Sequence, residues 1–131
     1  MLVLTHLAVS AQQLIYTPYY LAYGNLKNGK VTWEKYGTID SSSVIVSNRR
    51  IEVNLWSTKL IYHSYNKVQK GKNKSGRPYF YYKGLKMDNG NIANLRIDFY
   101  ENDWVVISVY CPSKPTYPNS YKLKCKLLTD M

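Results

Sequence analysis

The chain reads as an all-β protein: a small antiparallel up-and-down β-barrel or two-sheet sandwich of about 7–9 short strands. Three observations predict this. Apolar and polar residues alternate with period two from Ala93 to Cys111, which is the pattern of strands with one buried face. Asn28-Gly29 and Asn89-Gly90 each stand between strand-like segments, where a tight turn needs positive φ. Fourteen tyrosines, with many Val, Ile and Thr, favour strands over helices.

The N-terminus, MLVLTHLAVSAQQ, has two readings. One is a secretory leader over residues 1–11, with an apolar stretch from Leu2 to Val9 and small residues Val9-Ser10-Ala11 before a cut, although no Lys or Arg precedes it. That reading makes the protein secreted or periplasmic. The other is a short amphipathic helix with Leu4, Leu7, Ala8, Ala11, Leu14 and Ile15 on one face, which fits a cytoplasmic protein. Residues 12–131 form one all-β domain in either case.

Within that domain, Tyr19, Leu21 and Tyr23 share one parity, and Leu26-Lys27 and Lys30 to Trp33 flank a first hairpin. Val44 to Val46 and Ile51 to Trp56 flank the turn Ser47 to Arg50, with Ile51, Val53 and Leu55 inward. Lys59 to Tyr65 is a further strand. Segment 66–78, NKVQKGKNKSGRP, carries five cations and one apolar residue, Val68. It buries too little to offset its ordering entropy, so it is expected to be an exposed, mobile loop.

Tyr79 to Tyr110 is a meander of three strands. Phe99 should face Val105 and Ile97 should face Ile107 across a loop of Glu101, Asn102 and Asp103. A two-residue Asn89-Gly90 turn would pair Phe80 with Phe99, Tyr82 with Ile97 and Gly84 with Leu95, with Gly84 as a bulge or bend. Tyr121, Leu123, Cys125 and Leu127 point inward on the last strand, and Lys122, Lys124 and Lys126 point outward. Cys111 and Cys125 share the inward parity and are a candidate disulfide; otherwise both are small core residues. Lipocalin barrels carry Gly-x-Trp near the first strand, whereas Trp33 here follows Val31-Thr32, so no family resemblance is drawn.

The formal net charge is +10, from 18 basic and 8 acidic residues. Such a balance favours an anionic partner: an acidic protein, a glycan or nucleic acid. No apolar run approaches the ~20 residues of a membrane-spanning helix. Catalytic patterns are missing. His63 has no companion in sequence, the carboxylates are scattered, and His and Cys do not cluster at metal-ligand spacing. Gly71 to Gly76 lacks the order of a phosphate loop. No cofactor is implied.

The reading is therefore a non-enzymatic binding protein with a basic, tyrosine-rich surface. The alternative is a single-stranded nucleic-acid-binding barrel. It would use Lys67, Lys70, Lys72, Lys74 and Arg77 as a cationic rim, with Tyr79 and Tyr81 as stacking platforms. The outward lysines of the last strand read as an ordinary wet face.

Overall fold

The computed structural model describes residues 13–112 and 118–128, so the leader or helix expected over residues 1–11 lies outside the described part. Eleven strands follow one another: β1 (Leu14–Lys27), β2 (Lys30–Trp33), β3 (Gly37–Thr38), β4 (Ser43–Val46), β5 (Arg50–Leu55), β6 (Thr58–His63), β7 (Gln69–Lys72), β8 (Pro78–Met87), β9 (Ile92–Phe99), β10 (Trp104–Tyr110) and β11 (Ser120–Leu127). The architecture is all-β, a closed antiparallel barrel of eight strands with extra strands outside it. Neighbours around the barrel run β1, β4, β5, β6, β8, β9, β10, β11, and β11 pairs back onto β1. The count exceeds the expected seven to nine because β2, β3 and β7 are short strands added off this path. Among the described residues no helix is long and apolar enough to cross a membrane.

Alternation builds the interior. Leu95 and Ile97 of β9 stand opposite Val109 and Ile107 of β10, with Ala93 and Val105 on the same side, all buried. Leu123 and Cys125 of β11, Ile51, Val53 and Leu55 of β5, and Val44 and Val46 of β4 complete the core. Lys122, Lys124 and Lys126 of β11 stand on the opposite parity. An apolar inside and a charged outside is the inverse of a membrane-spanning barrel, whose lumen is polar.

The β9–β10 hairpin has the expected register, Phe99 with Val105 and Ile97 with Ile107. Its loop keeps both Asn102 (φ 58) and Asp103 (φ 65) left-handed, a conformation these residues tolerate. Asn28-Gly29 forms a true two-residue turn, with positive φ at both residues and Lys27 opposite Lys30.

The β8–β9 hairpin corrects the expectation. Phe80 pairs with Ile97 and Tyr82 with Leu95, two positions from the expected register. Two single-residue irregularities cause this. Met87 N–H donates to the Asn91 carbonyl at 2.9 Å, so Asp88, Asn89 and Gly90 form a three-residue loop in which only Gly90 is left-handed. A bulge between Tyr82 and Leu85, with Gly84 at φ +72, supplies the second shift. Each irregularity alone would turn the strand over, and together they restore parity. Phe80 still reaches Phe99, edge to face at 4.9 Å, as a diagonal neighbour.

A second bulge, between Pro18 and Tyr20 of β1, overturns the shared parity of Tyr19, Leu21 and Tyr23. Tyr16 and Pro18 are buried before it and Leu21 after it, while Tyr19 and Tyr20 are both thrown outward. A proline lacks the N–H that a paired strand uses, and a bulge is where a central strand accepts one.

Segment 66–78 is not wholly loop. Gln69–Lys72 pairs with Tyr81–Pro78, Gln69 opposite Tyr81 and Gly71 opposite Tyr79. Backbone pairing and the Tyr79 ring laid across Gly71 offset the ordering cost that its own composition cannot.

The two cysteines are not bonded to each other. Cys125 lies opposite Val105, six residues from Cys111 along the β10 direction, or about 20 Å at strand rise. That is far beyond the ~7 Å limit between bridged Cα atoms. Cys111 N–H donates to the Asn119 carbonyl at 2.8 Å, which extends the β10–β11 pairing past Tyr110 and Ser120 and away from Cys125.

Two stability measurements follow. Ile107→Ala should cost about 2–5 kcal/mol in urea unfolding, while the outward neighbour Ser108→Ala should stay within about 0.5 kcal/mol. Gly24 faces Trp33 across β1 and β2, and a methyl there would overlap the ring. Gly24→Ala should therefore cost about 1–3 kcal/mol and move the Trp33 emission.

Candidate functional site

The exterior of β1, β11, β10, β9 and β8 forms one continuous face. Cross-strand partners share a side, so the register reads the face row by row. One row runs Tyr20, Lys124, Val106, Asp98, Tyr79. The next runs Ala22, Lys122, Ser108, Arg96, Tyr81. Lys126 pairs with Trp104 in a third. Trp33 and Tyr36, from β2 and the segment after it, lie against the near end of this face.

Five cations of this face sit on rings. Lys122 Nζ lies 4.5 Å from the Trp33 centroid and 5.1 Å from that of Tyr36. Lys124 is 4.3 Å from Tyr36, and Lys126 is 6.0 Å from Trp104. Arg96 stacks on Tyr79 at 4.0 Å and Arg77 on Tyr100 at 5.0 Å. Two of the outward tyrosines of β1 reinforce the layer: Tyr19 packs 5.5 Å from Trp104, and Tyr20 packs edge-on 6.5 Å from Tyr36. Ala22, on the outward side, is only 1% exposed, so this stretch of the exterior is covered. Burial, then the neighbouring Lys124 ammonium, lowers the Lys122 pKa from its ordinary value. A groove between Trp33, Tyr36, Tyr100, Trp104, Lys122 and Lys124 crosses the layer.

The residues singled out from sequence divide across the sheet. Tyr79 and Tyr81 do stand on this outer face, and Arg77 joins it through Tyr100, with Glu101 3.7 Å away. Lys70 does not. It shares a side with Phe80, over whose ring its ammonium sits at 5.0 Å, and Lys72 follows the same parity. Lys67 and Lys70 line a basin with Arg49 at one end of the barrel. Lys74 lies in the turn from Asn73 to Gly76. The cationic rim and the tyrosines adjacent in sequence are therefore not one site. Cys111 lines the opposite end of the barrel and Cys125 is core.

Sequence reading missed the contribution of Trp33, Tyr36, Tyr100 and Trp104, and treated the β11 lysines as an ordinary wet face. The available signal was that Tyr100 and Trp104 fall on the outward parity beside that lysine stripe. Trp33 and Tyr36 carried no such signal, because their placement depends on how β1 bends.

At the end of the barrel away from Arg49, Lys67 and Lys70 there is a cavity of about 280 Å³. Leu55, Leu60, Met87 and Val109 line it, and the Tyr62 and Tyr121 hydroxyls share a hydrogen bond of 2.7 Å beside it. Burial pushes Tyr62 up to about 12, against a smaller lowering by the bond to Tyr121. Burial first, and then the Tyr62 phenol, holds Tyr121 well above the ordinary range.

His63 Nε2 meets Asp88 at 2.9 Å, the pairing a general base would need, but the two side chains are 36% and 69% exposed. Among the described residues no group of three or more His, Cys, Asp or Glu could hold a metal ion. Comparison of the chain with protein-family models, curated proteins and solved structures gives no match in any of the three. The class that the geometry defines is thus a closed antiparallel β-barrel with a cation-on-ring exterior.

The buried acids set an alkaline limit. Burial raises the Cys125 thiol from 9.0 to about 12, and the Tyr16 phenol from 10.0 to about 12. Above its unfolded value each group binds more protons in the native state, so stability falls as pH rises. Full stability is expected below pH about 9, with loss between about 9 and 12. Chemical unfolding across pH should show this, and Cys125→Ala should delay the onset to about pH 10, where tyrosine begins to titrate.

Proposed function

We propose that the protein is a non-enzymatic binding barrel that holds an anionic polymer against its outer face. The observation that carries this reading is the row of Lys122, Lys124 and Lys126, each on an aromatic ring. Alternate residues of a strand stand about 6.8 Å apart on one side. Rings that hold the lysine stems in place turn flexible cations into a fixed series of charges, which lowers the ordering cost of meeting a partner with repeated anions. Two arginines, Arg77 and Arg96, stand on rings toward β8, each also beside a carboxylate: Arg96 Nε donates to Asp98 at 3.0 Å and Arg77 lies 3.7 Å from Glu101. Arginine's planar fork suits phosphate, sulfate and carboxylate groups.

Single-stranded nucleic acid is the second reading, because Tyr79 and Tyr81 stand on the same face as the lysines. The first reading is preferred because several rings already carry a cation: Trp33, Tyr36, Trp104, Tyr100 and Tyr79 each have one over the ring. A face occupied in this way serves to position charge before it serves to stack bases.

Binding of heparin and of a single-stranded oligonucleotide, measured across salt concentrations, tests the proposal. Affinity should fall steeply with salt for both polymers. The double change Lys122→Gln with Lys124→Gln should reduce the log–log salt slope for the oligonucleotide by about 1.4. Lys70→Gln with Lys72→Gln, on the other side of the sheet, should change it less. Loss of oligonucleotide binding alone on Tyr81→Ala would favour the second reading. Absence of salt-sensitive binding to either polymer would refute both.

A further inference from the structure

We propose that the cavity at the Tyr62–Tyr121 end of the barrel is a second binding site, for a small uncharged molecule with an apolar body and one hydrogen-bond acceptor. The proposal stands apart from the outer face, and three features of the cavity carry it.

The first is charge. The described residues that line the cavity include no Lys, Arg, Asp, Glu or His. The chain is 20% charged and carries +10 overall, and barrel mouths are wet places where charged residues are ordinary. Here the rim positions hold Thr58, Asn89, Asn91 and Asn119. The basin at the other end carries Arg49, Lys67 and Lys70. The described lining offers neither an anion nor a cation a charged partner, which favours an uncharged occupant.

The second is the polar pair. Leu55, Leu60, Met87 and Val109 supply apolar walls, and the Tyr62 and Tyr121 hydroxyls, 2.7 Å apart, supply the polar point. Two phenols carry two O–H donors, and the bond between them uses one. The other can donate to a ligand oxygen. Burial keeps both phenols protonated through neutral pH, so the donor is always present. A pocket with apolar walls and a few convergent polar groups is the usual form of a small-molecule site.

The third is Trp56. It occupies the turn between β5 and β6, lines the rim, and is 55% exposed with φ at 54°. Bulky side chains rarely adopt that conformation, and Asn or Gly would fill such a turn without strain. The chain nevertheless keeps a large ring at the mouth. Strain of this kind gathers at ligand clamps, and an indole there can close over an apolar occupant.

Size limits the occupant. A cavity of roughly 150 Å³ accepts benzene, so about 280 Å³ admits a substituted ring or a compact bicycle. The probe set is 2-naphthol, naphthalene and 2-naphthalenesulfonate, titrated at pH 7 in high salt with isotope-labelled methionine methyls. Expected are saturable 1:1 binding of 2-naphthol, a shift of the Met87 methyl signal, and at least tenfold weaker binding of the sulfonate. Tyr62→Phe with Tyr121→Phe, which removes both O–H donors, should weaken 2-naphthol about 3- to 10-fold, the effect of one neutral hydrogen bond, and leave naphthalene unchanged. Leu60→Trp should fill the space and remove binding. The wild-type methyl shifts keep the test valid if that variant does not fold. No saturation by 2-naphthol, or no Met87 shift on saturation, would overturn the proposal. So would equal affinity for the sulfonate that survives Lys122→Gln. Sulfonate binding abolished by Lys122→Gln would belong to the cationic outer face and would support exclusion of the anion from the cavity.

Discussion

Everything in this molecule depends on the seam where β11 pairs with β1, Tyr16 opposite Leu127 at one end and Gly24 opposite Ser120 at the other. A sheet with two open edges would expose rows of unpaired N–H and C=O groups. Pairing the last strand with the first removes those edges and encloses the apolar residues of every strand in one interior. The same seam creates the exterior, because Lys122, Lys124 and Lys126 come to lie between the rings of β10 and those that follow β1.

β1 is the strand that must do most. It is 14 residues long, and along one side it changes partner from β4 to β3 to β2 while β11 holds the other. The bulge at Pro18 to Tyr20 makes this change possible. It bends the strand, gives a proline a place without a lost ladder bond, and sends Tyr19 and Tyr20 outward toward Trp104 and Tyr36. Closure and surface thus share one irregularity. Gly24 adds the second device: lacking a side chain, it lets the Trp33 ring lie flat on the backbone, where it receives Lys122.

Much of the barrel was legible in the sequence because a strand's side chains alternate strictly. Leu95, Ile97, Val105, Ile107, Leu123 and Cys125 all point where alternation puts them. Alternation says less wherever one residue is inserted. In β8 a three-residue loop and a bulge at Gly84 cancel, so the faces came out right while the partners moved two places. In β1 one bulge stands alone, so Tyr19 no longer shares a side with Leu21 and Tyr23. The candidate site suffered more, because adjacency in sequence was read as adjacency in space. Lys70 and Tyr79 are near in the chain but lie on opposite sides of the sheet. The face that assembles instead draws on β2, β8, β9, β10 and β11, and local pattern cannot show which rows of a closed barrel meet. The tyrosine pair at the cavity was equally hidden, since Tyr62 and Tyr121 are 59 residues apart.

The most direct test is the seam itself, read by solution NMR. Closure requires interstrand contacts that pair Leu21 with Leu123 and Tyr23 with Tyr121, and slow hydrogen exchange for the bonded amides of β1 and β11. Missing contacts, with both strands exchanging as fast as free edges, would show an open sheet and contradict both the enclosed core and the face built across it.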